Sequence, residues 1–549
     1  MHLVIIGGTA AGMSCAARAR RLDEKASITV LESTRHVSSA SCGLPYYVSG
    51  TIPHREALEV ETPETLLASL NIDVRLGSTV TGLDPAERAV QVSTADGERD
   101  VPYDALVIAT GTRAALPPVP GLDSPRVHTL RTIGDAVALR EVLTHHSGPA
   151  PLRALVIGAG FIGLEAAENL ADAGAVVTIV DGGPHPLSPL DADIATYAIQ
   201  ALAALGVSSH MSTTVVSLSD EGGSAVAMLS DGTRVEADAV VVATGVRPNS
   251  EPFVSAGVKA DHGWIDMDAH GRTSLPSVWA VGDVTLRTDA VTGARHPLAL
   301  AGPSNRDGRL VADAILSPDS ARPLPSVVGT AIVRIGRTVI GMTGASGEAL
   351  DRASIPFHTL HLQPSQHAGY YPGAQDVDLR VHVGADGRLL GAQAAGGDGV
   401  DKRIDVLATA IRAGMRAEDL IDLDLAYAPP FGSAKDPVNF VGYMADDLST
   451  GMLRQTEPEQ LPAAIGGMMI LDVRTPAEFD RWHLPGAINI PHTRMRERLD
   501  EVRANAAGRR VLVVCASGKR AYLAHRVLES AGIDSTVLAG GMNTLERYL

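Results

Sequence analysis

Cysteine is nearly absent from this chain: three residues in 549, at positions 15, 42 and 515. So few, spaced so far apart, exclude a disulfide framework and offer no CxxC metal spacing, so no metal site is expected; the pattern fits a reducing cytoplasm. Cationic excess is absent too. Lysine and arginine number 46 against 63 aspartates and glutamates, and a net charge of −17 gives no long-range attraction to nucleic acid or an anionic membrane. Small molecules are the expected partners. No run of about 18 uninterrupted apolar residues occurs, so no membrane-spanning helix is expected. No charged n-region or apolar h-region precedes the first strand, so no signal peptide is expected. With 45% hydrophobic and 20% charged residues the composition is that of a soluble globular protein. Its length exceeds one hydrophobic core and predicts roughly three or four domains.

Residues 2 to 32 read as strand, Gly-rich turn, helix and strand (LVIIGGTAAG, MSCAARARRL, ASITVLES). The same βαβ pattern recurs at 154 to 181 (ALVIGAGFIG, LEAAENLADAG, AVVTIVDGG), an internal repeat of the nucleotide-binding type. A second echo supports it. YDALVIATG ends at Gly111 and ADAVVVATG at Gly245, each bringing backbone toward a bound dinucleotide. From about 326 shorter alternating strands precede a helical DKRIDVLATAIRAG, predicting a separate α+β domain. Residues 446 to 457 lack a strong period and read as a linker. The last 90 or so residues alternate again as a small α/β domain.

In GGTAAG the turn glycine is Gly7 and the helix-packing glycine Gly12, with Thr9 in the middle position; Glu32 ends the second strand, where a carboxylate can hold ribose hydroxyls. A pyrophosphate would lie at the helix N-terminus near Ala11, where free N–H groups favour anions. GAGFIG has all three glycines, Gly158, Gly160 and Gly163. Asp181 ends its second strand, and a carboxylate there repels a 2'-phosphate, so NADH is expected over NADPH.

TSLPSVWAVGDV places Asp283 after an apolar strand. With Glu32, Thr110 and Gly111, this segment resembles the two-dinucleotide flavoprotein disulfide reductases over residues 1 to about 445. The resemblance implies FAD at the first loop, with contacts from Gly7, Gly8, Ala11, Gly12, Glu32 and Ser33, from Val80, Ala109, Thr110, Gly111 and Arg131, and from Gly282, Asp283, Leu298 and Ala299. It implies a nicotinamide dinucleotide at Gly158, Gly160, Phe161, Ile162, Gly163, Asp181 and Gly245.

Dithiol members of that superfamily carry CxxxxC beside the flavin and a His-Glu pair near the reductase C-terminus. This chain has neither. SSASCGLPYY, holding Cys42, resembles the single-cysteine branch: coenzyme A disulfide reductases, coenzyme A persulfide and polysulfide reductases, and NADH oxidases and peroxidases. HAGYYPGA (367–374) and AYAPPFGSAKDPVN (426–439) are similar to the coenzyme A disulfide reductase C-terminal domain. The resemblance implies a homodimer in which Tyr427, and Tyr370 more than Tyr371, reach the partner's Cys42 sulfur, where a phenol can protonate a departing thiolate. It also implies coenzyme A contacts at Ser14, Arg18, Arg21, Ser38, Ser41, Asn305 and Lys435. Arg18 and Arg21 are three apart on one helix, a spacing suited to a phosphate clamp. Leu70 departs from the pattern, which has lysine there. Cys15 reads as packing, and no role is assigned to His296 or His367.

CASGKR runs from Cys515 to Arg520 between a strand and a helix, so successive N–H groups and the helix end stabilise an anionic sulfur adduct. With LDVRTPAEF and HLPGAINIP upstream, the region resembles a rhodanese domain, Asp472 and Arg474 supporting its fold. Related phosphatases use a loop one residue longer.

These resemblances imply an α/β chain: an FAD-binding domain (1–112 and 248–325), an NAD(P)H-binding domain (113–247), both Rossmann-like, an α+β dimerisation domain (326–445) and a rhodanese-like α/β domain (458–549). The implied activity is NAD(P)H-dependent reduction of coenzyme A persulfide, polysulfide or disulfide, with Cys42 forming a mixed disulfide, Cys515 carrying sulfane sulfur, and Arg520 at the end of its loop. Two other readings stay open: an NADH oxidase or peroxidase cycling Cys42 through sulfenic acid, and a sulfur-relay module regulated by its flavin.

Overall fold

In the computed structural model, residues 1–146 and 149–548 are described. They form two compact units, Met1–Leu187 with Leu202–Gly329, and Ser188–Ala201 with Thr330–Leu549.

The first unit repeats one architecture. A parallel sheet runs in the order Val278–Ala280, Ala105–Ile108, His2–Ile6, Ser27–Leu31, Asp73–Arg75. A second runs Val127–His128, Ala239–Val242, Arg153–Ile157, Val176–Val180, Ser208–His210. The central strands are continuous apolar runs because helices cover both faces of a parallel sheet. In each sheet the earliest strand of the motif, His2–Ile6 or Arg153–Ile157, has neighbours on both sides. Its carboxyl end is therefore where strand order reverses and a crevice opens. A three-stranded antiparallel meander (79–102 and 215–237) precedes the fourth strand in both copies.

The second unit joins two sheets. An antiparallel one has the order Ala331–Ile335, Thr338–Gly344, Leu389–Gly396, Asp378–Gly384, Phe357–Leu362. The helix Val400–Ala413 packs so closely on it that a Cβ at Gly341 would lie 2.8 Å from Ile404. A parallel sheet follows, in the order Gln455–Thr456, Ser535–Leu538, Arg510–Val514, Met468–Asp472, Ile488–Asn489. The linker expected over 446–457 is instead structured. Its first residues complete the helix Pro437–Ser449, and Gln455 and Thr456 pair in parallel with Val537 and Leu538. The polar residues that hid a period there lie on the solvent side of a helix end.

A buried charge network ties the two sheets. Arg547 pairs with Asp378 and stacks 4.5 Å from the Tyr197 ring. Arg380, buried, pairs with Asp193 and Asp191 and donates also to the Tyr548 hydroxyl at 2.7 Å. Burial pushes the Asp191 carboxyl up, but the hydrogen bond from His382 and the charges of His382 and Arg380 outweigh it and hold it at about 2. Among the described residues no helix is long and apolar enough to cross a membrane.

Candidate active sites

Both glycine loops are built by the same contacts. Gly7 has φ +107°, and a Cβ there would meet the Ala109 carbonyl at 2.2 Å; Gly158 has φ +106° and would meet that of Ala243 at 2.4 Å. A Cβ at Gly12 would strike Gly7 O at 1.9 Å, and one at Gly163 would strike Gly158 O at the same distance. These four glycines are required by the protein's own backbone. Gly160 is not: its φ is −77° and a Cβ would meet nothing within 4 Å. Open space over a helix N-terminus is what an approaching pyrophosphate needs, so the loop fits a dinucleotide.

The two acids are set alike. Glu32, 5% exposed, accepts from Gly8 N and Thr34 N, both at 2.8 Å. Asp181 accepts from Ala159 N at 2.6 Å and Gly183 N at 2.7 Å. Each carboxylate is oriented by backbone and keeps lone pairs for ribose hydroxyls. Phe161 and Ile162 open the helix Phe161–Asp172, and Gly245 follows the neighbouring strand with φ +100°.

Part of the expected flavin set lies against the first loop. Gly282 lies against Ala11, whose Cβ a side chain at 282 would meet at 2.8 Å. Asp283 accepts from Ser304 Oγ at 2.9 Å and pairs with Arg131 at 3.5 Å. Arg131 also donates to Thr112 O at 3.1 Å. Thr110 Oγ1 donates to Asn249 O at 2.6 Å, fixing the turn at Gly111. Leu298 and Ala299 lead into the helix Ala301–Leu316, which packs on Ala11 through Gly308. Ser33 is exposed beside Glu32, and half-buried Val80 lies on the strand Thr79–Asp84. An arginine and an aspartate meeting at a glycine-loop helix fit the diphosphate and polyol of FAD.

Cys42 lies in a short turn, Ser41–Gly43, before the helix Leu44–Ser49, and is exposed. That helix is anchored by Ser49 Oγ donating to Asn169 at 2.7 Å, with Tyr46 OH donating to Glu165 at 3.4 Å. Burial pushes the Glu165 carboxyl up. Cys15 is fully buried and its thiol is pushed up to about 12 by burial. It cannot serve as a partner thiolate.

The coenzyme A residues are differently disposed. Ser14 donates to Asn305 at 2.7 Å. Arg18 is held by Asp313 at 2.6 Å, while Arg21 is exposed and Arg20 turns inward to cap the carbonyls of Leu70, Asp23, Glu24 and Asn71. The expected Arg18–Arg21 clamp therefore has one arm already paired, because an aspartate on the neighbouring helix lies within its reach. Ser38 adopts φ +49°, donating its N–H to Gly8 O at 2.7 Å; Ser41 is exposed next to Cys42. Lys435 belongs to the second unit, its ammonium 5.8 Å from the Tyr443 ring.

In the second unit the hydroxyls of Tyr370 and Tyr427 lie 3.1 Å apart, on side chains 77% and 48% exposed. The hydrogen bond with Tyr427 raises the Tyr370 phenol, since the bond that Tyr370 donates is lost when it ionises. Tyr371 instead meets the His367 ring edge-on at 5.5 Å. His367 is buried against Ala368 O and is accounted for by packing. His296, 3.7 Å from Asp289, is raised chiefly by that carboxylate.

Cys515 follows the strand Arg510–Val514 and is 1% exposed. Its sulfur accepts from Ala521 N at 3.3 Å. Gly541, φ +66°, lets the next chain segment close over the loop, where a Cβ would strike Cys515 O at 2.5 Å. Asp472 and Arg474, both buried, form a fork pair with Nη2–Oδ2 at 2.7 Å. One residue escaped the sequence reading. Glu478 takes both Nη groups of Arg520, at 2.8 and 2.7 Å, and that hydrogen bonding holds its carboxyl well below the usual range. Its signal was the capping spacing with Thr475, which hid its second partner.

Residues 1–300 match the pyridine nucleotide-disulphide oxidoreductase family, 330–437 the dimerisation domain of that family, and 457–547 the rhodanese-like domain. The chain is 30% identical to the coenzyme A disulfide reductase of Staphylococcus haemolyticus over 450 residues, 81% of this chain and 99% of that one. Among solved structures, reduced Bacillus anthracis CoADR-RHD superposes with a TM-score of 0.96 at 34% identity, covering 100% of this chain and 98% of that one. A NAD-dependent persulfide reductase from A. fulgidus superposes with a TM-score of 0.92 at 36% identity, covering 99% and 100%.

Proposed function

Because the chain belongs to the pyridine nucleotide-disulphide oxidoreductase family and ends in a rhodanese-like domain, we infer that it is an NAD(P)H-dependent reductase of coenzyme A persulfide, polysulfide and disulfide. The observation that carries this reading is the isolation of Cys42. It is exposed, while Cys15 is buried and Cys515 lies in its own loop. A thiol without a partner must form its disulfide with the substrate.

Bound at the first glycine loop, against Glu32, Asp283 and Arg131, FAD supplies the two-electron relay between NAD(P)H at Gly158–Gly163 and the sulfur bond. The residues do the rest. The Cys42 thiolate attacks the sulfur bonded to coenzyme A in a persulfide, expelling hydrosulfide and forming a mixed disulfide. With a disulfide substrate a coenzyme A thiolate leaves instead. Two electrons and one proton then return the Cys42 thiolate and free coenzyme A thiol. Tyr370 and Tyr427 of one subunit stand as hydrogen-bond donors to the partner's departing sulfur; the homodimer is supported by the match to the dimerisation domain. Asp181 favours NADH, since a 2'-phosphate would meet its carboxylate.

At Cys515 a thiolate takes one sulfane sulfur from polysulfide or thiosulfate, leaving the shortened polysulfide or sulfite. It passes that sulfur on as a persulfide. The Ala521 N–H supports the anionic sulfur, and Arg520, oriented by Glu478, adds positive charge beside it.

Anaerobic NADH oxidation, measured with coenzyme A persulfide, coenzyme A disulfide, polysulfide and peroxide in wild type, Cys42→Ala and Cys515→Ala, tests this. Fast persulfide turnover with hydrosulfide release, abolished in Cys42→Ala, is expected. A Cys515→Ala defect confined to polysulfide or thiosulfate marks the rhodanese cysteine as loader. Turnover with peroxide alone, or with oxygen alone when air is admitted, overturns the reading in favour of an oxidase or peroxidase.

A further inference from the structure

Two exposed phenols 3.1 Å apart have little packing to hold them, so the loops that carry them must be fixed from below. Tyr370 lies in the 366–375 loop and Tyr427 in the 426–436 loop. Both loops end on one buried guanidinium. Arg403, 1% exposed in the first turn of the helix Val400–Ala413, donates from Nη2 to Gln366 O at 2.7 Å and to Asp436 Oδ2 at 2.8 Å. Its Nε donates to Asp436 Oδ1 at 3.2 Å and its Nη1 to Gly399 O at 3.2 Å. Gly399, with φ +84°, leaves room for this group, since a Cβ there would fall 2.3 Å from Nη1.

Each anchor propagates to a tyrosine. Gln366 closes the first loop on itself: its N–H donates to Gln375 O at 2.9 Å, its amide oxygen accepts from Gln375 N, and its amide nitrogen reaches Gly373 O at 3.4 Å. Asp436 caps the helix Pro437–Ser449 through Val438 N at 3.1 Å and receives Lys402 Nζ at 3.2 Å. Lys402 also donates to Ala426 O, immediately before Tyr427, at 3.3 Å. One backbone bond, Ala368 N to Gly432 O at 2.9 Å, couples the loops directly.

We propose that Arg403 is a positioning residue for the reaction, clamping the two loops with one planar fork so that Tyr370 and Tyr427 meet the substrate sulfur as a hydrogen-bonded pair. This rests on the tyrosine role inferred above. Lysine keeps the charge but presents no fork, so it cannot hold a carboxylate and a carbonyl in fixed directions. A displacement of about 1 Å in a proton donor costs on the order of 100-fold in rate, far more than in binding.

The test uses the FAD-loaded full chain as Arg403→Lys, Asp436→Asn and Tyr427→Phe. Asp436→Asn keeps a capping oxygen and serves if the arginine variant folds poorly. In both anchor variants kcat for coenzyme A disulfide falls about tenfold or more while KM stays within about twofold. The alkaline limb of the kcat profile moves to lower pH, because a phenol separated from its partner loses the bond that raises it. Anaerobic reduction of the bound flavin by NADH is unchanged, and hydrogen exchange quickens in both 366–375 and 426–436. Wild-type kcat and pH profile in both anchor variants, with Tyr427→Phe slow, overturn the proposal. If Tyr427→Phe turns over like wild type, the tyrosine role is what fails. Exchange then decides positioning, and unchanged protection of both loops in Arg403→Lys refutes it.

Discussion

Gly160→Ala and Gly163→Ala separate what a glycine loop needs for folding from what it needs for its ligand. At Gly160 the backbone is at φ −77° and a methyl group would meet nothing within 4 Å. Placing alanine at this helix N-cap costs about 0.5–1 kcal/mol, which the reduced freedom of the unfolded chain offsets by about 0.4–1 kcal/mol. The thermal midpoint of the first unit should therefore stay within about 2 °C of wild type. The same methyl group occupies space that a diphosphate approaches, and a loss of about 1.4–2.8 kcal/mol in binding corresponds to a 10- to 100-fold rise in the KM for NADH. At Gly163 the methyl would lie 1.9 Å from Gly158 O and 2.9 Å from its carbon, both backbone atoms. The loop must then open by more than an ångström, and overpacking of this kind costs about 1–3 kcal/mol, a drop of roughly 4–8 °C near 2 kcal/mol. Thermal melts of the FAD-loaded variants and NADH saturation curves measure both quantities. A KM for Gly160→Ala within twofold of wild type, or a melting loss equal to that of Gly163→Ala, would refute the assignment of the open space to the dinucleotide.

Alkylation of the folded protein near pH 7.5, followed by mass spectrometry, should label Cys42 and spare Cys15, whose thiol is buried and pushed up to about 12; comparable labelling of the two contradicts the isolation of Cys42. The Glu478 carboxyl is held low by Arg520, so its contribution is complete above the unfolded value of ~4.3 and is lost as pH falls through the lower folded value. Glu478→Gln should cost about 1 kcal/mol at pH 7, after discounting for solvent screening, and the difference from wild type should shrink in melts from pH 4.3 downward. Arg547→Ala strands Asp378, whose carboxyl burial already pushes up, and should cost about 3–5 kcal/mol, with Asp378→Asn in the same chain restoring part of the loss. Denaturant titration of the double-mutant cycle reads this coupling, and additive losses would remove the pair from the network that joins the two sheets.

Local chemistry made the nucleotide loops legible in the sequence. A turn glycine, a helix-packing glycine and an acid at the end of the next strand are constraints within about 30 residues, because one βαβ unit contains all of them. The same is true of Cys515, whose loop is defined by the six residues from the end of one strand to the start of the next helix. Family likeness carried Cys42 and the tyrosines further than periodicity could. Long-range pairing is where sequence reading ran out. Nothing near Arg18 foretold Asp313, nearly 300 residues away, and nothing near Arg520 foretold that both its amino groups would go to Glu478. Arg403 reads as one more charge on an amphipathic helix until folding removes it from water and brings Gln366 and Asp436 to it. The sequence by itself determined the repeated dinucleotide architecture and the strand–loop–helix that holds Cys515, since each rests on neighbours along the chain. Only the tertiary structure decided which charges are free to meet a ligand and which are consumed in holding the fold, because desolvation and ion pairing depend on which residues, however distant in sequence, share the same few ångströms.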